Sequence, residues 1–212
     1  MMVKTDNHNL KAKLDLRRYF LRKYHADGSA NVLDCCQGDG IIWSHLRGEF
    51  KIANYWGIDI KRKPGRLMID SARILQQPGW PQNIIDVDTY GHPWSHWISL
   101  LPRVSQPITV FMTIGQLSFD GAPLNALCRS ALGLPQWKIP RAIGLKLNSL
   151  AIGYLLTFAT NYAKITEAIE AENNGNARYF GLRLEPIKTE GQQVQTADLP
   201  KHKKPKKEVA RV

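Results

Sequence analysis

A short glycine loop between two apolar segments constrains the fold of this chain more than any other feature. The segment 31–40, which reads NVLDCCQGDG, runs from apolar residues through Asp34 to Gly38 and Gly40. Glycine tolerates a positive φ and lets a ligand approach the backbone closely. A second apolar segment ends at Asp59, about 20 residues further on, where nucleotide-binding α/β units place the carboxylate that accepts the ribose hydroxyls. The pattern therefore predicts a strand–loop–helix–strand nucleotide site.

The residues around the glycines favour one class of nucleotide ligand. A dinucleotide-binding loop would have a small residue three positions after Gly40, where this chain has Trp43. Asp34 precedes the glycines instead, and a carboxylate there suits a cationic amino-acid end better than a pyrophosphate. The resulting D-x-x-x-G-x-G pattern, together with Asp59, resembles motif I of the class I S-adenosylmethionine-dependent methyltransferases. A simple turn with Asp34 as a helix cap is the alternative.

Apolar periodicity divides the chain into three parts. A basic helix is predicted within residues 1–27, an α/β domain over 28–187 and a disordered basic tail over 188–212. Alternating strands and helices indicate a mainly parallel sheet with right-handed crossovers. The predicted strands are 31–35, 54–60, 67–70, 84–88 and 108–113, and the predicted helices are 9–25, 41–47 (closed by Gly48), 94–101 and 145–162.

The last part of the α/β domain has a different pattern. Residues 164–171 and 178–184 alternate apolar with polar side chains and are separated by an Asn- and Gly-rich turn, which predicts a terminal β-hairpin. The fold class is therefore α/β: a Rossmann-like, doubly wound, mainly parallel seven-stranded sheet ending in an antiparallel β-hairpin. The methyltransferase resemblance implies the same architecture over residues 28–187.

Composition limits the class of protein further. No apolar run reaches the 18 or so residues needed to span a bilayer, and the first residues lack the apolar segment of a signal peptide. Cys35, Cys36 and Cys128 provide neither a disulfide framework nor metal-binding spacing. His92 and His96 are four apart, but no third ligand follows at useful spacing. We predict a cytoplasmic, reduced protein with no membrane segment and no metal.

The charge of the chain favours a polyanionic partner. Its net charge is +11 and its pI is near 9.7. The excess lies in the N-terminal helix, the Lys61–Lys63 turn and the tail over 188–212. Basic segments of this kind bind nucleic acid through counterion release. Nucleic acid is therefore the expected partner, although a basic tail can also be merely a solvated end.

Two acids at the end of the fourth predicted strand indicate where chemistry would take place. Asp86 and Asp88 are two residues apart, so their side chains lie on one face of the strand. Two neighbouring carboxylates repel each other unless a cation or a donor lies beside them, and a sulfonium or a substrate N–H would serve. The run 85–94 resembles the D-P-P-Y motif of amino-methyltransferases and, more closely, motif IV of the tRNA guanine-26 N2-dimethyltransferases. Thr89 departs from that motif, which has proline at this position.

The resemblance implies a role for each residue of the site. Asp88 would orient the amine of the acceptor and Tyr90 would stack on the base, with Asp86 beside the sulfonium and the reacting groups. Asp70 would accept the adenine amino group together with Ser71, unless it only caps the helix that follows. The remaining cofactor residues would be Asp34, Gln37, Gly38 and Gly40 at the methionine end, Asp59 at the ribose and Ile60 on the adenine.

These observations predict an S-adenosylmethionine-dependent methyltransferase that N-methylates a base in RNA or DNA. A methyltransferase of a small molecule or a protein would have the same cofactor motifs. A non-catalytic, methyltransferase-like nucleic-acid-binding module is the third possibility, kept open by Thr89. A different nucleotide-binding enzyme, such as a dehydrogenase, is disfavoured by Trp43.

Overall fold

The computed structural model describes residues 9–62, 67–89, 93–115, 149, 152–153, 155–171 and 177–187. The strands are β1 (Ala30–Asp34), β2 (Ile52–Asp59), β3 (Leu67–Met68), β4 (Ile84–Val87), β5 (Ile108–Ile114), β6 (Ala163–Ala171) and β7 (Arg178–Pro186). The helices are α1 (Leu10–Tyr24), α2 (Ile41–Glu49), α3 (Ser71–Gln76) and α4 (Trp94–Leu100), with a 3₁₀ turn at Leu101–Arg103 and further helical residues at 155–159.

The strands form one seven-stranded sheet in the order β3-β2-β1-β4-β5-β7-β6. All pairs from β3 to β5 are parallel, whereas β7 lies antiparallel between β5 and β6. The strand order reverses between β1 and β4, and ligands of open α/β sheets bind at the carboxyl ends of the strands beside such a reversal. The predicted α/β fold class, with its terminal antiparallel hairpin, is confirmed.

Helices cover both faces of the sheet, and each face has its own core. On one face α1 and α2 pack on the sheet, through a cluster that includes Phe20, Val32 and Trp43. Phe20 of α1 packs directly against Gly181 of β7, where a Cβ atom would overlap its ring. On the other face the cluster contains Leu33, α3 and α4 residues and the alternate residues of β4 and β5. The helix α1 therefore shares a core with the sheet.

The predicted elements are largely confirmed, with differences at their ends. Gly48 was expected to close the helix after the glycine loop, but α2 continues to Glu49 and ends at Phe50 in extended backbone. The third strand is shorter than predicted and comprises only Leu67–Met68. Most of the predicted helix 145–162 lies outside the described residues. Among the residues described, none of the helices combines the length and apolarity required to cross a membrane.

Candidate functional site at the carboxyl ends of the strands

The glycine loop between β1 and α2 has the conformation that its sequence predicts. Gly38 and Gly40 have φ values of 51° and 70°, which other residues rarely adopt. The Gln37 N–H donates to the Ile58 carbonyl at 3.0 Å, and the Gly40 N–H donates to the Gln37 carbonyl at 2.7 Å. These bonds fix the loop against β2 and place the start of α2 at the carboxyl edge of the sheet.

Asp59 at the end of β2 ties this loop to the neighbouring strand. Its carboxylate accepts from the Gly38 N–H at 2.9 Å and from the Lys61 N–H at 2.8 Å, one bond on each oxygen. Because a carboxylate has about four acceptor positions, both oxygens can still accept hydroxyl donors. The next residue, Ile60, leaves 68% of its surface exposed. The end of β2 thus presents a fixed carboxylate beside an uncovered apolar side chain.

Asp34 at the end of β1 lies in an environment that favours its neutral form. It is buried, pairs in register with Asp86 of β4 and accepts a hydrogen bond from the Tyr55 hydroxyl at 2.8 Å. Burial, followed by the nearby Asp86 charge, raises the pKa of Asp34 to about 8, against the opposing effect of the Tyr55 bond. Asp34 is therefore mostly protonated at neutral pH, and a cationic group beside it would favour ionisation.

The side chain of Gln37 lies over Gly57 beside Asp34. A Cβ atom at Gly57 would lie 2.6 Å from the Gln37 Cδ and 2.7 Å from the Tyr55 hydroxyl, so only glycine leaves room for this arrangement. The Gln37 Oε1 is buried and has no hydrogen-bond partner among the described residues. Buried polar atoms are nearly always paired, so this acceptor is suited to a ligand donor.

Asp70 and Ser71 serve the start of α3. Asp70 is the N-cap of α3 and accepts a hydrogen bond from the Ala72 N–H at 3.0 Å, as the capping alternative predicts. Its side chain is 41% exposed, so part of the carboxylate remains accessible. Ser71 is buried and donates to the Cys35 carbonyl at 2.9 Å, while its oxygen lies 2.8 Å from the His96 Nε2. Because a hydroxyl has one proton, His96 donates here. The Ser71 side chain joins β1, α3 and α4.

Asp86 is enclosed by donors from the protein itself. It accepts from the Arg17 Nε at 2.7 Å and Nη2 at 2.6 Å, and from the Trp43 Nε1 at 2.7 Å. Arg17 and Asp86 are each 1% exposed. The donors that the sequence analysis expected from a ligand are thus supplied by α1 and α2. We therefore do not retain Asp86 among the ligand-binding or catalytic residues, and assign it to the attachment of α1.

Asp88, the first residue after β4, is paired in the same way but is more accessible. Both of its oxygens accept from the Lys13 Nζ, at 2.9 and 2.8 Å, and its side chain is 16% exposed. Burial alone would raise the pKa of Asp88, but the charges of Lys13 and Arg17 hold it below the usual value. Asp88 is therefore a carboxylate at neutral pH, and it can accept a further bond.

Lys13 and Arg17 contact the acids of the site, and the sequence analysis did not identify them. They belong to the basic helix predicted within residues 1–27, whose charge was expected to favour a polyanionic partner, yet both are buried. Residues four apart on a helix are separated by about 6 Å along its axis. Residues two apart on a strand are separated by about 6.6 Å. The two cations therefore match Asp86 and Asp88 in spacing, and this match is the sequence signal that could have revealed them.

The loop after β4 is only partly described. The Thr89 Oγ1, at the position where the resembling families have proline, is buried and without a hydrogen-bond partner among the described residues. Tyr90, the predicted stacking residue, lies outside the described residues. The site thus contains two buried acceptor-capable atoms, on Gln37 and Thr89, that the described part of the protein leaves unpaired.

Comparisons with known proteins agree on the fold. No protein-family model matches the chain, and no curated protein matches its sequence. Trm1 from Pyrococcus horikoshii, solved with S-adenosyl-L-methionine, superposes with a TM-score of 0.57 at 16% identity, over 88% of this chain and 59% of that one. The plantazolicin methyltransferase BamL, solved with a triazolic desmethylPZN analog and SAH, gives 0.51 at 12% identity, over 86% of each chain.

These similarities establish the architecture. The chain has the class I methyltransferase fold, as its motif I resemblance predicts. It spans 59% of the length of the Trm1 chain, so a large part of that protein has no counterpart here.

Proposed function

We propose that this protein is an S-adenosylmethionine-dependent methyltransferase. The observation that carries the proposal is the glycine loop with positive φ angles, hydrogen-bonded to Asp59 at the point where the strand order reverses. Ligands of open α/β sheets bind at such a point. The two similar structures were solved with S-adenosyl-L-methionine and SAH, which supports the same cofactor for this chain.

The residues present fit this cofactor along its length. Asp59 retains acceptor positions for the ribose hydroxyls, and Ile60 offers an uncovered apolar surface for the adenine ring. At the other end, the unpaired Gln37 Oε1 and the buried Asp34 suit a cationic α-amino group. The exposed part of Asp70 lies at the end of β3, where the resemblance implies the adenine amino group. Gly38 and Gly40 allow close backbone approach.

Asp88 is the proposed acceptor-orienting residue, and an amine on a nucleic-acid base is the proposed methyl acceptor. The ionised Asp88 carboxylate can accept an N–H bond from the amine and direct the nitrogen lone pair toward the reacting carbon. Thr89, the next residue in sequence, has a buried hydroxyl oxygen with no hydrogen-bond partner among the described residues. The cofactor, when bound, supplies an electrophilic methyl group. Reacting atoms held roughly 3–3.5 Å apart in this way account for several kcal/mol of barrier.

Support for a nucleic-acid substrate comes from the motif IV resemblance of residues 85–94 and from exposed basic residues beside the cofactor loop. Lys61 and Arg62 are exposed just beyond Asp59. The helix α1 contributes less than its composition suggests, because Lys11, Arg18 and Lys23, like its buried cations, contact carboxylates of the same chain. The proposed contact surface is therefore the Lys61–Lys63 turn and the basic tail.

A methyltransferase of a small molecule or a protein is the second candidate. The observation that favours it is the enclosure of Asp88 by α1, which leaves its side chain 16% exposed. A narrow entrance to Asp88 would suit a small acceptor, or a base that is flipped out of a nucleic-acid helix. The acceptor therefore has to be identified by experiment.

Transfer of tritiated methyl groups tests both candidates. Purified protein is incubated with methyl-labelled S-adenosylmethionine and separate pools of tRNA, ribosomal RNA, duplex DNA, protein and small metabolites. We expect label in one nucleic-acid pool, lost with Asp88→Asn although the variant still binds the cofactor. Label in the metabolite or protein pool would favour the second candidate, and absence of cofactor binding by calorimetry would refute the proposal.

A further inference from the structure

We propose that Lys13 of α1 is a positioning residue for methyl transfer, which holds the Asp88 carboxylate in the orientation that receives the acceptor amine. This inference rests on the proposed function and deepens it, because it assigns part of the acceptor site to a helix that precedes the sheet. The helix would then belong to the machinery of transfer as well as to the core.

The geometry of Lys13 is that of a fixed side chain. Its Nζ donates to both oxygens of Asp88, at 2.9 and 2.8 Å, and lies 5.1 Å from the centre of the Tyr179 ring. The Tyr179 hydroxyl is in turn 3.4 Å from the Asn9 Nδ2. The Lys13 side chain is only 8% exposed. The ammonium is therefore held between β4 and β7, with its charge directed at one carboxylate.

Attachment of the helix does not by itself account for Lys13. Arg17, one turn further along α1, already binds Asp86 with two hydrogen bonds in a fully enclosed pair. The Lys13 pair is less deeply buried than the Arg17 pair. A second buried ion pair costs desolvation and is weak support for stability alone. A positioning role for Lys13 accounts for the presence of this second buried ion pair.

The choice of lysine also fits a carboxylate that must bind a second group. The ammonium is a compact charge that bonds both oxygens from a single nitrogen, and Asp88 retains an acceptor position beside it. An arginine would instead bond the carboxylate through a planar fork of two nitrogens on a longer side chain, as Arg17 does on Asp86. Lys13→Arg should therefore preserve the charge at this position while moving the Asp88 carboxylate away from the orientation that receives the amine.

Removal of Lys13 would change the electrostatic balance around Asp88. The charged and polar groups around it are Lys13 and Arg17 from α1, Asp34 from β1, the Cys36 thiol after β1 and Thr113 from β5. Asp86 lies two residues earlier on the same face of the strand. Without Lys13, two acids, a neutral thiol and a single arginine that is already bound to Asp86 remain. The pKa of Asp88 would then rise, and its ionised form would persist only at higher pH.

The test compares Lys13→Met and Lys13→Arg with Lys23→Met, which removes an exposed lysine paired with Glu167 on the same helix. We expect Lys13→Met to lower kcat about 10- to 100-fold, the loss typical of one charge-assisted hydrogen bond. The acid limb of its kcat/KM profile for the acceptor, measured with saturating cofactor so that protonation of Asp34 does not contribute, should move up by about one pH unit or more. Lys13→Arg should lower kcat by a similar factor, but the acid limb of its pH profile should stay where it is in the wild type. Lys23→Met should have the kcat and the pH profile of the wild type.

Direct titration of Asp88 keeps the test valid if a variant is less stable. The ¹³Cγ signal of Asp88, followed by NMR, should titrate at higher pH in Lys13→Met than in the wild type. Unchanged kcat and an unchanged acid limb in Lys13→Met, with only a lower melting temperature, would overturn the role of Lys13 alone. Absence of methyl transfer by the wild type would instead overturn the proposed function, and this inference with it.

Discussion

The buried Asp34 predicts that cofactor binding releases a proton. In the free protein, burial and the neighbouring Asp86 raise the pKa of Asp34 to about 8, so it binds a proton at neutral pH. A cationic α-amino group beside Asp34 favours the ionised form, and the proton must then leave. Below the raised pKa, the affinity for S-adenosylmethionine should increase as pH rises, by about tenfold for each pH unit between pH 5 and 7.

Calorimetry measures this proton directly. Titrations at pH 6.5 in two buffers with different ionisation enthalpies should give different apparent enthalpies, from which about one released proton is obtained. Asp34→Asn should bind the cofactor more weakly at pH 7 and show no pH dependence from this site. A wild-type affinity that does not change between pH 5 and 7, or no proton release, would refute the assignment of Asp34 to the cationic end.

The same group predicts how stability depends on pH without ligand. The pKa of Asp34 is higher in the folded protein than in the unfolded chain, where it is near 3.9. The folded state therefore binds more protons, and the contribution of Asp34 to stability is present at low pH and lost as pH rises through about 8. Asp34→Asn should remove this loss, so urea denaturation at pH 8 should find the variant stabilised relative to wild type. Equal pH dependence in both proteins would contradict the raised pKa.

Three further changes test the framework around the site. Arg17→Met leaves Asp86 buried without its cation and should lower the free energy of unfolding by about 3–5 kcal/mol, measured by urea titration. A loss below about 1 kcal/mol would show that stability does not depend on this pair. Gly181→Ala forces a Cβ into the Phe20 ring and should cost about 1–3 kcal/mol, seen as a lower melting temperature, whereas an unchanged melting temperature would contradict the close contact. Asp59→Ala should weaken cofactor binding by about 1–3 kcal/mol, and an unchanged Kd would remove Asp59 from the ribose site.

Local patterns predicted most of the fold because they depend on residues close in sequence. The apolar segments that end in Asp34 and Asp59 defined β1 and β2, and glycines defined the loop between them. The alternating segments after residue 162 defined the hairpin. Element ends were less certain, as with Gly48, because a glycine inside a helix and one after it produce the same local pattern.

The contacts that the sequence did not predict join residues far apart in the chain. Lys13 and Asp88 are 75 positions apart, and Arg17 and Asp86 are 69 apart. A helix with bases on one side indicates a solvated face unless the strand it packs on is known. Ser71 is similar, because its bonds to Cys35 and His96 depend on how α3 and α4 pack. Pairing between elements, rather than propensity, decided these positions.

The contact between Phe20 and Gly181 has a consequence for how the chain folds during synthesis. The helix α1 precedes every strand, but the ring of its Phe20 packs against β7, which is the last of these strands in sequence. A ribosome therefore releases α1 long before all of the surface that covers it exists. Elements such as α2 and β5 can cover part of its apolar side earlier, but the part of the Phe20 ring that packs on Gly181 stays uncovered until β7 inserts between β5 and β6. Pairing between such distant segments is slow, so folding of this domain should be completed only after β7 has left the exit tunnel.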